Sequence, residues 1–446
     1  MPTIRPFRAL RYSREMVDDL STVVAPPYDV ISPAEHAQLL ARDSRNVVRL
    51  DLPEDEPGDP PDERYRRAAR TLTAWRSDGT LRRDPRPALY PYEQTYRIPG
   101  TERVATRRGL FARVVLEPFG TGSGIRPHER TLAEPREDRY RLLRATGVNT
   151  SPVVGLGADR SGAVATWLGE IAATAPVADL VDDAGVRHRL WAATVGEDGA
   201  RDAAVQAACD LLGATPITLA DGHHRYETAL RYAEERRTGP AIEGDPAWAE
   251  ILMLILEPVE GTLTVLPTHR VLLGLDEAAV AALVAGAPEL FEVTAGLDRE
   301  VLLATFDGST EARGGEGRFG LWTRHGGAIL HARRAAFVPW LPAGGAAVRR
   351  LDVTLASVAI ERLAGIGPAA VAEGRIAYTM SAAEAMAWVD AGAAPTGSLP
   401  ASAALLLDPT PASEIVAVAA DGDVMPQKST YIYPKAITGL VINPLE

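Results

Sequence analysis

The stretch Leu219-Ala220-Asp221-Gly222-His223-His224-Arg225-Tyr226 constrains this chain more than any other. An apolar run ends at an aspartate, a glycine permits a tight turn, and a helical pattern begins at once. Tyr226, Ala229, Leu230 and Ala233 recur at i, i+3, i+4 and i+7, which predicts a helix with one face in the core. A strand that feeds a helix through glycine sets the unpaired amides of the first helical turn beside the strand end. Those amides lie at the positive pole of the helix dipole and suit phosphate oxygens. His223, His224 and Arg225 add side-chain donors there, and Asp221 can cap the helix or order a neighbour. The physical reading is an anion site, most economically a phosphate site.

Two other readings stand beside it. The His and Glu residues could serve a metal-dependent hydrolase. However, adjacent histidines on a helix point about 100° apart, whereas zinc pairs prefer i, i+4 spacing. The histidines could also simply be satisfied within the fold.

Composition narrows the partners. The chain carries 47 basic and 59 acidic residues, a net charge of −12, which argues against a nucleic-acid binder. Only two of the cations are lysines, Lys428 and Lys435, and they lie close together in the sequence. No run approaches the ~18 apolar residues of a membrane helix. The longest stretch, Ile251 to Val259, is interrupted by Glu257 and Pro258. The opening Met-Pro-Thr-Ile-Arg-Pro-Phe lacks the apolar core of a secretory signal. The single cysteine, Cys209, excludes an internal disulfide framework and a Cys-based zinc cluster, and reads as a small buried hydrophobe. A cytoplasmic protein without membrane contact is expected.

The element pattern is α+β, mixed α/β, in three regions. Residues 1–120 form an N-terminal α+β region, 121–238 a phosphate-binding core, and 239–446 a C-terminal α+β domain, with Gly-Pro-Ala at 239–241 as the linker. The first region holds the turn Ala25-Pro26-Pro27-Tyr28-Asp29 and an acidic, proline-rich loop from Pro53 to Asp62. A helix through Tyr65, Ala68, Leu72 and Trp75 follows, then strands around Leu89–Arg97 and Gly109–Leu116. The core is predicted to contain helices over Pro135–Gly147, Trp167–Thr174 and the Cys209 segment. Its strands are expected over Ser151–Leu156, Gly185–Thr194 and Thr215–Ala220. In the third region the strands Ile251–Leu256, Leu263–Pro267, Arg318–Thr323, Ala328–Arg333, Ile376–Thr379 and Ala404–Leu407 alternate with helices over Glu277–Ala285, Asp352–Leu363, Ala382–Ala391 and Ala412–Ala420.

A second constellation, Arg126-Pro127-His128-Glu129-Arg130, precedes Glu137-Asp138-Arg139. Its flanking cations would hold the Glu129 carboxylate ionised and favour a base role. Thr268-His269-Arg270, after the strand ending at Pro267, either reaches a pocket or is structural. Gly120-Thr121-Gly122-Ser123-Gly124 reads as a loop, and Lys428-Ser429-Thr430 has no glycine-rich turn before it, so neither makes a P-loop.

The order Arg-Pro-His-Glu, a helix, Ser151-Pro152-Val153-Val154, then a strand and Asp-Gly-His-His-Arg resembles the ParB/sulfiredoxin superfamily over about residues 126–235. Its functionally nearest members are free serine kinases. There the glutamate activates the serine hydroxyl and the Asp-Gly-His-His-Arg loop holds nucleotide phosphates. An added segment between Pro152 and the motif departs from that pattern. Sulfiredoxin chemistry is set aside, since its cysteine is replaced by His223. Over its full length the chain resembles the uncharacterised DUF1015 family, through Ile4-Arg5-Pro6-Phe7-Arg8-Ala9-Leu10, Ala25-Pro26-Pro27-Tyr28-Asp29-Val30, His128-Glu129, Glu137-Asp138-Arg139, Asp221–Arg225, Leu266–Arg270 and Met425-Pro426-Gln427-Lys428-Ser429-Thr430.

These resemblances imply a ParB/sulfiredoxin-like core flanked by the two α+β regions. They imply a kinase-like phosphotransferase that uses a nucleotide (ATP, ADP or CTP) with Mg²⁺ and acts on a small hydroxyl substrate such as free serine. Glu129 and Asp221 would be catalytic. Gly222, His223, His224, Arg225 and Ser151 would bind phosphate, and His128, Arg139, Lys428 and Ser429 would complete the site, with no metal held by protein ligands alone. Lys428 is expected to project toward Asp221–Arg225. The alternative is a non-catalytic or slowly hydrolysing nucleotide-binding regulatory module. A homo-oligomer is compatible with either.

Overall fold

A computed structural model describes residues 1–129, 133–196, 199–238, 246–259, 261–306, 316–395 and 399–446. Arg130 and the expected linker at 239–241 lie outside the described residues. The mixed α+β class read from the sequence is the one observed, as two large sheets with helices packed on them and three two-stranded sheets among the described residues.

The first sheet has ten strands among the described residues. Its main path runs Ile125–Arg126, Ile217–Asp221, Val153–Leu156, Glu250–Leu256, Val104–Val115, Ala88–Arg97, Arg187–Leu190, Ala178–Val181. It therefore takes strands from before residue 120, from 121–238 and from after 239. The apolar run at Ile251 is explained by its central place. Every residue of Glu250–Leu256 is buried, parallel to Val153–Leu156 on one side and antiparallel to Val104–Val115 on the other. A strand covered on both faces needs a continuous hydrophobic run rather than an alternating one. Among the described residues no helix is long and apolar enough to cross a membrane.

Ile217–Asp221 pairs in parallel with Ile125–Arg126, and this register sets the strand ends that carry Asp221 and His128 side by side. The helix His223–Arg237 follows at once and packs against the helix Ala133–Thr146. Tyr226, Ala229 and Ala233 are buried as the spacing predicted; Thr228 and Tyr232 join them, while Leu230 is half-buried.

The second sheet is antiparallel, in the order Phe291–Leu297, Gly326–Ala332, Arg318–Thr323, Ala401–Leu407, His269–Leu273, Ile376–Thr379. Strand alternation splits its side chains between two cores. Val271, Ala404 and Leu406 pack with Leu302 and Met386, whereas Leu272, Leu405 and Leu407 pack with Leu283 and Ile360. The helix Pro33–Arg42, absent from the sequence reading, carries a capping box between Ser32 and Glu35. The strands Phe291–Leu297 and His269–Leu273 were also absent from it.

The C-terminal segment binds this architecture together. Tyr431–Tyr433 pairs with Thr264–Leu266, Thr438 bridges Ala25, Ile442 bridges Leu10, and Asn443–Pro444 pairs with Val148–Asn149. The extended tail expected at Tyr431, Tyr433 and Pro434 is thus drawn across the face of the first sheet.

Candidate functional site

Gly222 makes the turn between strand and helix with φ of +82°, in the left-handed region that glycine enters without strain. A Cβ there would also stand 2.9 Å from Nε of Arg225. Gly222→Ala is therefore expected to destabilise the protein by about 2 kcal/mol. Urea unfolding would measure this, and a loss below about 0.5 kcal/mol would contradict the account of the turn.

Gly222 is the helix N-cap and offers no side chain to the amides of the first turn. Asp221 does not cap it, contrary to one sequence option. Its carboxylate accepts from Nζ of Lys435 at 2.8 Å and from Nη2 of Arg225 at 3.1 Å. Burial opposes ionisation of Asp221, but these two cations outweigh it and hold the carboxyl well below its usual range. Burial likewise opposes the Lys435 charge, and Asp221 again prevails and raises it. The ammonium also lies 4.6 Å from the centre of the Tyr431 ring.

Lys435 is held in place by residues far away in sequence. Arg107, buried, donates to Oε1 of Gln94 and to the carbonyls of Tyr433 and Pro434. Gln94 in turn donates to the Lys435 carbonyl at 3.1 Å. These two side chains of the neighbouring strands Ala88–Arg97 and Val104–Val115 clamp the backbone that delivers the ammonium to Asp221.

Arg225 is turned inward. Its guanidinium donates to Oγ of Ser151 at 3.0 Å and to the Pro152 carbonyl, besides Asp221. Arg225 and Ser151 thus tie the helix start to the Val153–Leu156 strand. A cavity behind them, bordered by Asp51 and Arg139, holds only about 40 Å³, too small for a nucleotide. Arg139 stacks on the Tyr28 ring, 4.2 Å from its centre, and binds Asp138 and the Asp51 carbonyl. Ser429 is buried, with its hydroxyl donating to the Pro426 carbonyl.

Burial pushes the three site histidines toward the neutral form. His128 engages the Leu219 carbonyl through Nδ1 and Oγ1 of Thr430 through Nε2, at 3.0 Å for the latter. Burial pushes it down to about 4. His223, whose ring meets His128 edge-on at 4.7 Å, is driven well below its ordinary value by burial and by His128. Its Nε2 accepts the His128 backbone amide at 3.4 Å. Half-buried His224 is lowered too, first by burial; Glu227 and Asp29 pull it up while Arg136 and Lys428 push it down.

Glu129 differs from the sequence expectation. Its carboxyl is raised rather than held low. Burial raises it, against the Lys428 amide, which donates to Oε1 at 3.1 Å, and the charges of Lys428 and Lys435. Lys428, at φ of +54°, thus gives Glu129 its backbone amide, and its charge acts on Glu129 and His224. The ion pair with Asp221 belongs to Lys435. The sequence reading did not place Lys435 in the site, although the rarity of lysine pointed at it as much as at Lys428. It also did not place Tyr28 there; burial raises this tyrosine to about 12, against the charges of Arg225 and Arg139. Among the described residues no group of three or more His, Cys, Asp or Glu side chains is arranged to hold a metal ion.

The fold and the site together define an α+β protein with an ion-paired, glycine-turned helix start beside a half-buried glutamate. A family described as "Protein of unknown function (DUF1015)" matches residues 4–354, and the chain belongs to that family. No curated protein matches it. Among solved structures, a conserved hypothetical protein from Pyrococcus furiosus is similar at 13% identity, covering 76% of this chain and 95% of that one, with a TM-score of 0.33. A free serine kinase variant in complex with ADP is similar at 14% identity, covering 76% and 90%, with a TM-score of 0.35. C-terminally truncated SbnI from Staphylococcus aureus is similar at 11% identity, covering 72% and 84%, with a TM-score of 0.33.

Proposed function

We propose that this protein is a nucleotide-dependent phosphotransferase acting on a small hydroxyl substrate, free serine among the candidates. The observation that carries the reading is the convergence of Glu129, Asp221, Lys428 and Lys435, close enough for each charge to act on the Glu129 carboxyl, beside the uncapped start of the His223–Arg237 helix. Phosphate oxygens would meet the first-turn amides and His224. Lys435 neutralises Asp221, so the carboxylate does not repel them. Arg225 serves by holding Asp221 and Ser151 in register rather than by reaching outward. Glu129, made more basic by burial, would take the proton of the acceptor hydroxyl.

Both Asp221 oxygens are engaged by cations, so a Mg²⁺ ion here fits as a companion of the nucleotide, ligated by phosphate oxygens and water. When bound it would neutralise charge on the transferring phosphoryl group.

The test is phosphorus NMR of the full chain with Mg²⁺, serine and each of ATP, ADP and CTP. Transfer is expected with at least one nucleotide, and Glu129→Gln is expected to slow it about a hundredfold. Turnover unchanged in Glu129→Gln would remove the base role. Nucleotide binding without transfer to any hydroxyl would select the regulatory alternative.

A further inference from the structure

A cavity of about 610 Å³ lies in the C-terminal half, between the helix Asp352–Ala364, the strand end at Ile376 and the segment Gly422–Gln427. Its walls are largely apolar, with Val348, Ile360, Ile366, Val371 and Ile376 among them. One cation borders it. Arg270, at the start of the His269–Leu273 strand, is 2% exposed, and it belongs to the Thr268-His269-Arg270 motif that the phosphate site does not use.

The environment of Arg270 is unusual for a buried guanidinium. Its Nη1 donates to the Thr268 carbonyl at 3.1 Å, and Tyr378 lies beside it with the ring centre 6.0 Å away. Nη2 is buried without a hydrogen-bond partner among the described residues, and besides burial the group acting on this arginine is Tyr378 rather than a carboxylate. A buried charge normally keeps a counter-charge, because removing it from water is costly. Here the arginine instead borders a cavity of ligand-sized volume whose walls are mostly apolar, with Glu361 and Asp423 the carboxylates among them and Asp423 engaged by the Gly345 amide. That combination of an apolar body and one fixed polar contact is how small-molecule pockets achieve orientation. Planar, two-pronged guanidinium matches carboxylate geometry.

We propose that this cavity binds a small monocarboxylate with an apolar body, its carboxylate paired with Arg270. A bare phosphate would leave the hydrocarbon walls uncovered, and a neutral ligand would leave the guanidinium unpaired. The wall formed by Met425–Gln427 leads directly to Lys428, whose amide caps Glu129, and Met425 itself bridges Glu129. The pocket therefore abuts the glutamate, yet it requires no assumption about phosphate chemistry there.

The test is calorimetric titration of the full chain with hexanoate and 3-phenylpropionate, each compared with its primary amide. The acids are expected to bind at least tenfold more tightly than the amides. Arg270→Met is expected to weaken the acids at least tenfold, and Val371→Trp, which fills the cavity with Arg270 intact, to abolish binding. Thermal melts of both variants would show that they remain folded. Equal binding of acids and amides, no binding of either, unchanged affinity in Arg270→Met, or competition by inorganic phosphate as strong as by hexanoate would each overturn the proposal.

Discussion

Replacing Lys435 with methionine is expected to destabilise the protein by about 3 kcal/mol, because it strips the nearest counter-charge from a buried carboxylate. The Asp221 and Lys435 side chains are 16% and 14% exposed, so solvent screens their interaction only weakly. Arg225 stays within 3.1 Å of Asp221, which places the loss at the lower end of the usual range for a broken buried pair. The partner test is Asp221→Asn. If the cost comes from an orphaned charge, the double variant Asp221→Asn/Lys435→Met should be more stable than the two single losses summed, with a coupling of about 1–2 kcal/mol. Urea midpoints of the four proteins measure the cycle. Additive losses, or a Lys435→Met loss below about 0.5 kcal/mol, would mean that the ammonium does not hold the site together.

Acid is the second large lever. His128 and His269 are pushed by burial from an ordinary 6.5 to about 4 and about 3. The contacts agree with neutral rings, since Nδ1 of His269 accepts the Leu407 amide at 3.1 Å and so carries no proton. In the unfolded chain these groups take up protons as pH drops through 6.5; in the fold they do not until about 4 or 3. Stability that is fully present above pH 6.5 is therefore lost as pH falls toward the folded values, by about 3 kcal/mol for His128 alone. Glu129 works in the opposite sense. Its folded pKa is raised, so the fold gains on protonation where the unfolded carboxyl is still ionised. Asp221, held low, contributes stability that is fully present above the ordinary carboxylate range and is lost progressively as the pH falls through that range and below it. The histidine term is isolated by comparing the protein with His128→Asn from pH 7 to pH 4.5. The difference in unfolding free energy between them should shrink steadily as the pH drops. A constant difference would mean that His128 titrates alike in the folded and unfolded chain, so that burial does not lower it.

Local pattern carried much of this structure. The helical spacing after Gly222 and the apolar run at Ile251 were both legible, because each records burial within a few residues. The placement of Lys435 was not. It depends on Arg107 and Gln94, in two strands of the first sheet, gripping the carbonyls of Tyr433, Pro434 and Lys435 near the end of the chain. No short window of sequence contains both partners. The sequence did mark Lys428 and Lys435 as rare, and the structure divides the work between them: one supplies an amide and a charge near Glu129, the other the ion pair to Asp221. The inward turn of Arg225 escaped the reading for the same reason, since Ser151 and Pro152 reach it only through the pairing of two strands. The electrostatics of Glu129 depart from what its flanking cations imply because burial of the carboxyl, a tertiary fact, raises it, and His128, buried against Leu219, is itself pushed toward the neutral form.

The central claim is that the Asp221–Arg225 turn receives nucleotide phosphates while Glu129 acts on the acceptor. Calorimetric titration of the full chain with Mg²⁺ and ADP tests it most directly, using the unaltered protein, His224→Ala and Glu129→Gln. The expected result is saturable binding to the unaltered protein, at least tenfold weaker binding to His224→Ala, and unchanged affinity in Glu129→Gln. No binding, or equal affinity in the unaltered protein and His224→Ala, would contradict it.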